Sequence, residues 1–183
     1  MRRAKNTMNQ FSTSLILIGM PGAGKSTIGI VLAKALAKDF VDTDVLIQLQ
    51  QSKTLQDIVD NQGYLKLREI EEQVLLNTHY PNHVIATGGS AIYSERAIHH
   101  LRQFGQIIFL DVPLAELTER VQDINTRGLA CKPDQSFADL YYERRTLYLQ
   151  YANIIIDCSG KNQAQIIDDI IYAEAEVYTE EDA

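Results

Sequence analysis

The chain has 183 residues, of which 45% are hydrophobic and 22% charged, and its formal net charge is −7. This length suffices for a single domain with its own core, so we expect residues 1–183 to form one globular domain. The acidic balance argues against nucleic acid or an anionic membrane as the main partner, although a local nest of backbone amides can still hold one anionic ligand.

The first 13 residues are polar and basic and are predicted to form an extension outside the core. The apolar run that follows, residues 15–18, is too short for a signal-peptide core or a membrane span. The cysteines, Cys131 and Cys158, have no metal-binding spacing and are typical of free thiols in a reducing compartment. We therefore expect a cytoplasmic monomer with no membrane partner.

Short apolar runs alternate with longer amphipathic stretches along the chain. The amphipathic stretches predict helices, most clearly over 25–38, 64–77 and 94–103, where Ser94 can cap the helix. The apolar runs predict strands buried on both faces, and they occur at 14–18, 39–42, 83–87, 106–112 and 153–157. This alternation indicates a three-layer α/β fold with a five-stranded parallel sheet, in which ligands bind at the carboxyl ends of the strands.

A glycine-rich segment connects the first predicted strand to the first predicted helix. Gly19, Gly24, Lys25 and Ser26 have the spacing of a P-loop, G-x-x-x-x-G-K-S. Backbone amides at the start of the helix favour an anion, the lysine adds positive charge beside the β- and γ-phosphates, and the serine hydroxyl can bind Mg²⁺. The segment therefore predicts a nucleoside triphosphate site formed by Gly22, Ala23, Gly24, Lys25, Ser26 and Thr27.

Two aspartates mark the end of the second predicted strand. Asp42 closes this strand, where a carboxylate can hold Mg²⁺ through water, and Asp44 can reach an acceptor pocket as a general base. Taken alone, the Asp-Thr-Asp sequence is also typical of a turn or a helix cap.

Two further patterns are weaker when taken singly. Arg68 and Glu71 lie three residues apart on one face of a predicted helix, which is equally typical of a surface ion pair. Gly88 and Gly89 follow the third predicted strand, where paired glycines allow a substrate to approach the backbone but also form ordinary turns.

Taken together, the P-loop, Asp-Thr-Asp, Arg-x-x-Glu and Gly-Gly motifs resemble the shikimate kinase family. The resemblance extends from about residue 15 to the last helix and implies a kinase that uses ATP and Mg²⁺, with a mobile lid. It implies a metal-associated Asp42, an Asp44 that contacts the substrate hydroxyls, and a carboxylate-binding Arg68 that Glu71 supports. It further implies pocket-lining glycines, an adenine-stacking arginine, a lid arginine over the phosphates and a second carboxylate-binding arginine, at Gly88, Gly89, Arg120, Arg127 and Arg144 respectively.

The lid is predicted over residues 123–138, a segment rich in turn-forming residues and poor in core residues. A mobile arginine such as Arg127 suits the charge that develops during phosphoryl transfer. A planar carboxylate suits two guanidinium groups, which Arg68 and Arg144 can supply, although each arginine taken singly is also typical of a solvated surface residue.

Several positions depart from the family pattern, most of them at the acceptor end. Ser90 replaces the third glycine after the third strand, and its side chain could reshape the pocket for another hydroxy acid. Gly128 stands where the lid usually has proline. The remaining departures are Leu67 for phenylalanine, Thr146 for proline and Gln163 for proline.

The favoured interpretation is a kinase that transfers the γ-phosphoryl group of ATP to a hydroxyl of shikimate or, alternatively, of another small hydroxy acid. A nucleotide switch is disfavoured because residues 131–134, Cys-Lys-Pro-Asp, match a guanine-reading motif poorly and follow no strand. A kinase for a neutral or cationic acceptor would not need both arginines. A nucleotide-binding protein without phosphoryl transfer stays open at this point.

Overall fold

The computed structural model of the chain describes residues 13–120, 128–132 and 134–181, with side chains described as far as residue 176. The strands within these ranges are β1 (Ser14–Ile18), β2 (Asp39–Asp42), β3 (His83–Ala86), β4 (Gly105–Asp111) and β5 (Ile154–Asp157). The helices are α1 (Lys25–Ala35), α2 (Thr43–Gln51), α3 (Leu55–Gln62), α4 (Tyr64–Leu76), α5 (Glu95–Arg102), α6 (Leu114–Arg120), α7 (Phe137–Tyr151) and α8 (Gln163–Glu181), with a 3₁₀ turn at Ala91–Tyr93.

The strands form one parallel sheet in the order β2-β3-β1-β4-β5. Strand β1 lies at its centre, and all five of its side chains are buried, as its unbroken apolar sequence predicts. Helices contact both halves of the sheet: α1 packs on β1, β2 and β3, α8 on β5, and α5 and α7 on β4. The predicted α/β class with five parallel strands and flanking helices is confirmed.

The strand register brings the chemically important loops to one edge of the sheet. Asp42 pairs with Ala86, and Ile18 pairs with Phe109, so β2, β3, β1 and β4 end close together. The P-loop, the Asp-Thr-Asp segment and the Gly-Gly turn leave the sheet at this edge, where ligands bind in such folds.

The sequence analysis does not predict α2 and α3, which follow β2 directly. Their apolar stripe is imperfect: in α2, Ile47 is buried, whereas Val45 and Leu49 are exposed. These helices form a second, smaller core with α4, composed of Ile47, Ile58, Leu67, Ile70, Val74 and Ala130. This core holds α4 beside the edge of the sheet and so positions Arg68 and Glu71.

Other element boundaries differ from the predicted ones by a few residues. Helix α7 begins at Phe137 because Ser136 and Asp139 form a capping box, so the loop ends earlier than the predicted lid. Ser94 caps α5 as predicted, accepting a hydrogen bond from the backbone amide of Ala97. Along the described ranges, every helix is too short or too polar to span a membrane.

Candidate active site

The P-loop forms the floor of the site between β1 and α1. Gly24 caps α1 with φ +89°, and Gly22 also has a positive φ of +84°. Helix α1 then points its free backbone amides and positive dipole end towards the cavity. This geometry suits a polyphosphate.

Lys25 places its ammonium group inside this loop. Its Nζ donates to the carbonyl oxygens of Gly19, at 2.9 Å, and Met20, at 3.1 Å. Burial lowers the pKa of Lys25, and the nearby carboxylates of Asp44 and Asp42 oppose this shift. The ammonium is thus held by loop carbonyls, ready to turn towards phosphate oxygens.

Asp42 has two roles at the end of β2. Its Oδ1 accepts a hydrogen bond from the backbone amide of Asp44, at 2.9 Å, and so caps α2. Its Oδ2 accepts a hydrogen bond from the Ser26 hydroxyl, at 2.5 Å. The cap alternative is therefore observed, and it leaves Oδ2 beside the Ser26 hydroxyl. A hydroxyl and a carboxylate side by side are the oxygen ligands that Mg²⁺ takes beside substrate phosphates.

A half-buried Asp44 and a buried Glu71 place two carboxylates on the acceptor side of Lys25. Burial raises the pKa of Asp44 to about 6, although the Lys25 charge counteracts it. Burial, together with the charge of Asp44, raises the pKa of Glu71 to about 7. Both carboxylates lie against Gly88, where any side chain would collide with them. The sequence places a glycine here because the carboxylates occupy that space.

The segment after β3 is held by buried polar groups. The backbone amide of Gly88 donates to Thr43 Oγ1, at 3.1 Å, and Tyr148 Oη donates to the carbonyl oxygen of Gly89, at 2.6 Å. The Ser90 hydroxyl donates to Glu71 Oε2. The turn is therefore a hydrogen-bonded wall of the cavity rather than an ordinary surface turn.

Two arginines from different helices converge on one carbonyl oxygen. Arg68 Nη2 on α4 and Arg144 Nη2 on α7 both donate to the carbonyl oxygen of Ala130, each at 2.9 Å. The Tyr93 ring lies under them, 3.6 Å from Arg68 Cζ and 5.5 Å from Arg144 Cζ. Arg144 is only 1% exposed, and the Nε of each arginine is buried without a partner in the described structure. The pair has spare donors for a planar anion.

Glu71 bonds to Ser90 rather than to Arg68. Within the described ranges, no ion pair joins Arg68 to Glu71, although they lie on one helix. Glu71 is 3% exposed, so the surface-pair alternative does not describe it.

The described part of the predicted lid packs against the second core. The backbone amide of Gly128 donates to Gln56 Oε1, at 2.6 Å, and Ala130 is buried among α2, α3 and α4. Gly128 has φ +60° and its Cα faces the backbone of Leu55. Proline can adopt neither that φ nor that hydrogen bond, which explains the departure at this position. Arg127 lies outside the described residues.

One cavity of about 420 Å³ joins most of these groups, but the predicted site residues Asp42 and Arg68 are not among the residues that line it. Arg120, at the end of α6, lines it and forms an ion pair with Glu116, at 2.8 Å. Ala23 does not line it: its methyl group packs in the main core and its amide donates to Met20. The predicted site residues that do line it are Gly22, Gly24, Lys25, Ser26, Thr27, Asp44, Glu71, Gly88, Gly89, Arg120 and Arg144.

A model of the shikimate kinase family matches residues 21–174. The chain belongs to the shikimate kinase family. It is 34% identical over 164 residues to shikimate kinase 2 of Enterobacter sp., covering 87% of this chain and 94% of that protein. It is 36% identical over 159 residues to the shikimate kinase of Rhodococcus erythropolis, covering 85% and 94%. Membership of this family makes the chain an ATP-dependent phosphotransferase that acts on an alcohol, as predicted.

Solved structures agree with this assignment. The shikimate kinase from Acinetobacter baumannii in complex with shikimate superposes with a TM-score of 0.81 and 27% identity, covering 93% of this chain and 97% of that one. The shikimate kinase from Aquifex aeolicus superposes with a TM-score of 0.75 and 28% identity.

Sequence reasoning misses several residues of this shikimate kinase family site. Tyr93 and Ala130 contact the arginine pair, Tyr148 and Thr43 hold the glycine turn, and Gln56 holds Gly128. Thr43 is the middle residue of the Asp-Thr-Asp motif, and the others belong to no motif named above, so no local pattern indicates these contacts. The departure at Ser90 is visible in the sequence, but its contact with Glu71 is not.

Proposed function

We propose that this chain transfers the γ-phosphoryl group of ATP to a hydroxyl of shikimate. The observation that carries this proposal is the arginine pair: Arg68 and Arg144 meet on the Ala130 carbonyl oxygen with donors to spare. Two guanidinium groups of this kind suit a carboxylate, and shikimate has one. Arg144 and Ala130 line the same cavity as the P-loop.

The P-loop, the start of α1 and Arg120 would together bind the nucleotide. The amides of the P-loop and of the first turn of α1 would bind the phosphates, and Lys25 would exchange its loop carbonyls for phosphate oxygens. Arg120 lines the cavity where it can stack on the adenine ring.

The Ser26 hydroxyl and the Asp42 carboxylate fit Mg²⁺, the first directly and the second through water. The chemistry that Mg²⁺ would supply when held by these residues is neutralisation of charge on the β- and γ-phosphates. The hydrogen bond between these two side chains supports this proposal, because it holds their oxygen atoms side by side.

On the acceptor side, the carboxylate would replace the Ala130 carbonyl oxygen on the two arginines. This would place a ring hydroxyl beside Asp44, which is deprotonated above about pH 6. The hydroxyl oxygen attacks the γ-phosphorus, the bond from that phosphorus to the β–γ bridging oxygen breaks, and Asp44 takes the hydroxyl proton. The products are ADP and a phosphate ester, and Arg127 is proposed to steady the developing charge from the lid.

A coupled ADP-release assay over a panel of hydroxy acids tests this proposal. We expect turnover with shikimate to exceed turnover with quinate, gluconate and glycerate. Normal ATP binding without turnover of any hydroxy acid would contradict the proposed kinase reaction, and preference for another acid would contradict shikimate.

Replacing Arg68 with alanine should selectively weaken binding of the acceptor. We expect the Arg68→Ala variant to raise the shikimate KM about tenfold to a hundredfold, because a charge-assisted partner of the carboxylate is lost. The KM for ATP should change little, since Arg68 bonds to Ala130 rather than to the P-loop. Steady-state kinetics with each substrate varied in turn measures this split.

Arg96 provides the matched control for Arg68. It is a surface arginine, 77% exposed, and its guanidinium lies 3.8 Å from Glu72. The Arg96→Ala variant should retain both KM values. Equal effects of the two substitutions would contradict a carboxylate-binding role for Arg68.

Tyr93 should support the arginine pair through its ring. We expect Tyr93→Leu to raise the shikimate KM about threefold to tenfold, because the cation–π contact with Arg68 is lost. Tyr93→Phe keeps the ring and removes only the hydroxyl that donates to Glu143, so its KM should stay near that of the wild type. If phenylalanine were as harmful as leucine, the hydroxyl and not the ring would be the supporting group.

A further inference from the structure

The bond between Ser90 and Glu71 ties together two elements of the acceptor pocket. Ser90 precedes the 3₁₀ turn after β3, Glu71 lies in the middle of α4, and both side chains are buried. The Ser90 hydroxyl donates to Glu71 Oε2. The hydroxyl therefore points at the carboxylate instead of standing free in the cavity.

The second oxygen of Glu71 has no such partner. Oε1 is buried, and the described part of the chain offers it no hydrogen bond. It faces Gly88, next to Asp44 Oδ1, and all three residues line the cavity. A buried acceptor without a donor is rare in folded proteins. Its surroundings suit a hydroxyl group of a ligand.

Charged groups from three helices surround the Glu71 carboxylate. Asp44 on α2 disfavours the charged form, whereas Arg144 on α7, Lys25 on α1 and the Ser90 hydroxyl favour it. Burial has the largest effect and raises the pKa of Glu71 to about 7. Near neutral pH, the charge of Glu71 is thus sensitive to the loss of any one of these partners.

We propose that Ser90 is a positioning residue for Glu71: its hydroxyl fixes the carboxylate and leaves Oε1 to accept a hydrogen bond from a hydroxyl of the acceptor. This inference rests on the proposed function for the identity of the acceptor. It differs from the expectation that the Ser90 side chain reshapes the pocket for another hydroxy acid, which would make Ser90 crowd shikimate. If Ser90 crowded the acceptor, shortening it to glycine would improve binding; if it positions Glu71, the same change would harm binding.

Ser90→Ala separates the hydroxyl from the volume of the side chain, because alanine keeps Cβ and removes only Oγ. The first measurement is an NMR titration of ¹³C-glutamate-labelled protein without ligands, in which the Glu71→Gln variant identifies the Glu71 signal. We expect the Glu71 midpoint to rise by about one pH unit in Ser90→Ala, since a hydrogen bond to a charged group favours its ionised form. An unchanged midpoint would overturn the proposal.

The second measurement is shikimate affinity by calorimetry and by KM at pH 7. We expect Ser90→Ala and Ser90→Gly to weaken shikimate binding to a similar degree, about tenfold, with the KM for ATP unchanged. Tighter binding by Ser90→Gly than by the wild type would overturn the proposal in favour of crowding.

Ser94→Ala is the matched control for the same segment. Its hydroxyl accepts from the Ala97 amide and caps α5, so its loss should lower stability modestly and leave both the Glu71 midpoint and shikimate affinity unchanged. A Ser94→Ala effect equal to that of Ser90→Ala would show general loosening and contradict positioning. Failure of the proposed function would look different: the wild type would not turn over shikimate, while the NMR midpoint would still shift in Ser90→Ala.

Discussion

Lys25→Met should lower kcat by about three orders of magnitude, because a charge placed to stabilise the transferring phosphoryl group is removed from a buried site. Lys25 is 9% exposed, and no other lysine lines the cavity in the described part of the chain. Solvent therefore cannot easily compensate for the loss of this positive charge. Methionine retains the length of the side chain, so the packing of the loop should survive.

The measurement is kcat by coupled ADP release, with thermal unfolding to show that the variant folds. The KM for shikimate should stay within about threefold of the wild type, since the acceptor contacts lie on other elements. Lys34→Met is the matched control, because Lys34 lies in the last turn of the same helix and is exposed. Near-normal kcat in a folded Lys25→Met protein would contradict the role of the ammonium group.

Asp44→Asn should lower kcat about a hundredfold to ten-thousandfold, which is the range that general bases contribute. The amide has the size of the carboxylate but cannot take the hydroxyl proton. The helix cap should be unaffected, because it uses the backbone amide of Asp44 and the carboxylate of Asp42.

The pH dependence of the wild type gives an independent check. Burial raises the pKa of Asp44 to about 6, and the base must be deprotonated, so kcat/KM should fall as pH drops through that value. The residual activity of Asp44→Asn should lack the fall near pH 6, and any acidic limb that remains should reflect Glu71, whose pKa burial raises to about 7. Asp39→Asn, an exposed change at the other end of β2, serves as the control and should retain the fall near pH 6. A variant that kept both full kcat and the acidic limb would exclude Asp44 as the base.

Much of the site follows from local sequence patterns. Strand β1 is apolar throughout and leads directly into glycines, a lysine and a serine, and these residues lie close together in the sequence. Short-range rules suffice here because a P-loop requires only a strand, a tight turn and a helix start. The Asp-Thr-Asp motif can also be read from local sequence, since the helix cap joins two residues that are two positions apart.

The helices beside the acceptor pocket are harder to predict from local sequence patterns. Helix α2 begins immediately after β2 and exposes Val45 and Leu49, so its hydrophobic pattern alone does not indicate a packed helix. Its place depends on the second core, to which α4 and Ala130 also contribute. Such packing joins residues far apart in the chain, and periodicity within one segment carries no information about it.

From residue order alone, one can therefore deduce the parallel sheet, the nucleotide loop and the kinase family, because each is indicated by short-range sequence periodicity or by a known set of motifs. Only the folded chain shows that Arg68 and Arg144 share the carbonyl oxygen of Ala130, which lies 62 residues from Arg68. Only the folded chain turns the Ser90 hydroxyl onto Glu71, 19 residues away, and places Gly128 at a φ that proline cannot adopt. These features depend on how separate helices pack over the edge of the sheet, and long-range packing is what decides the shape and charge of the acceptor pocket.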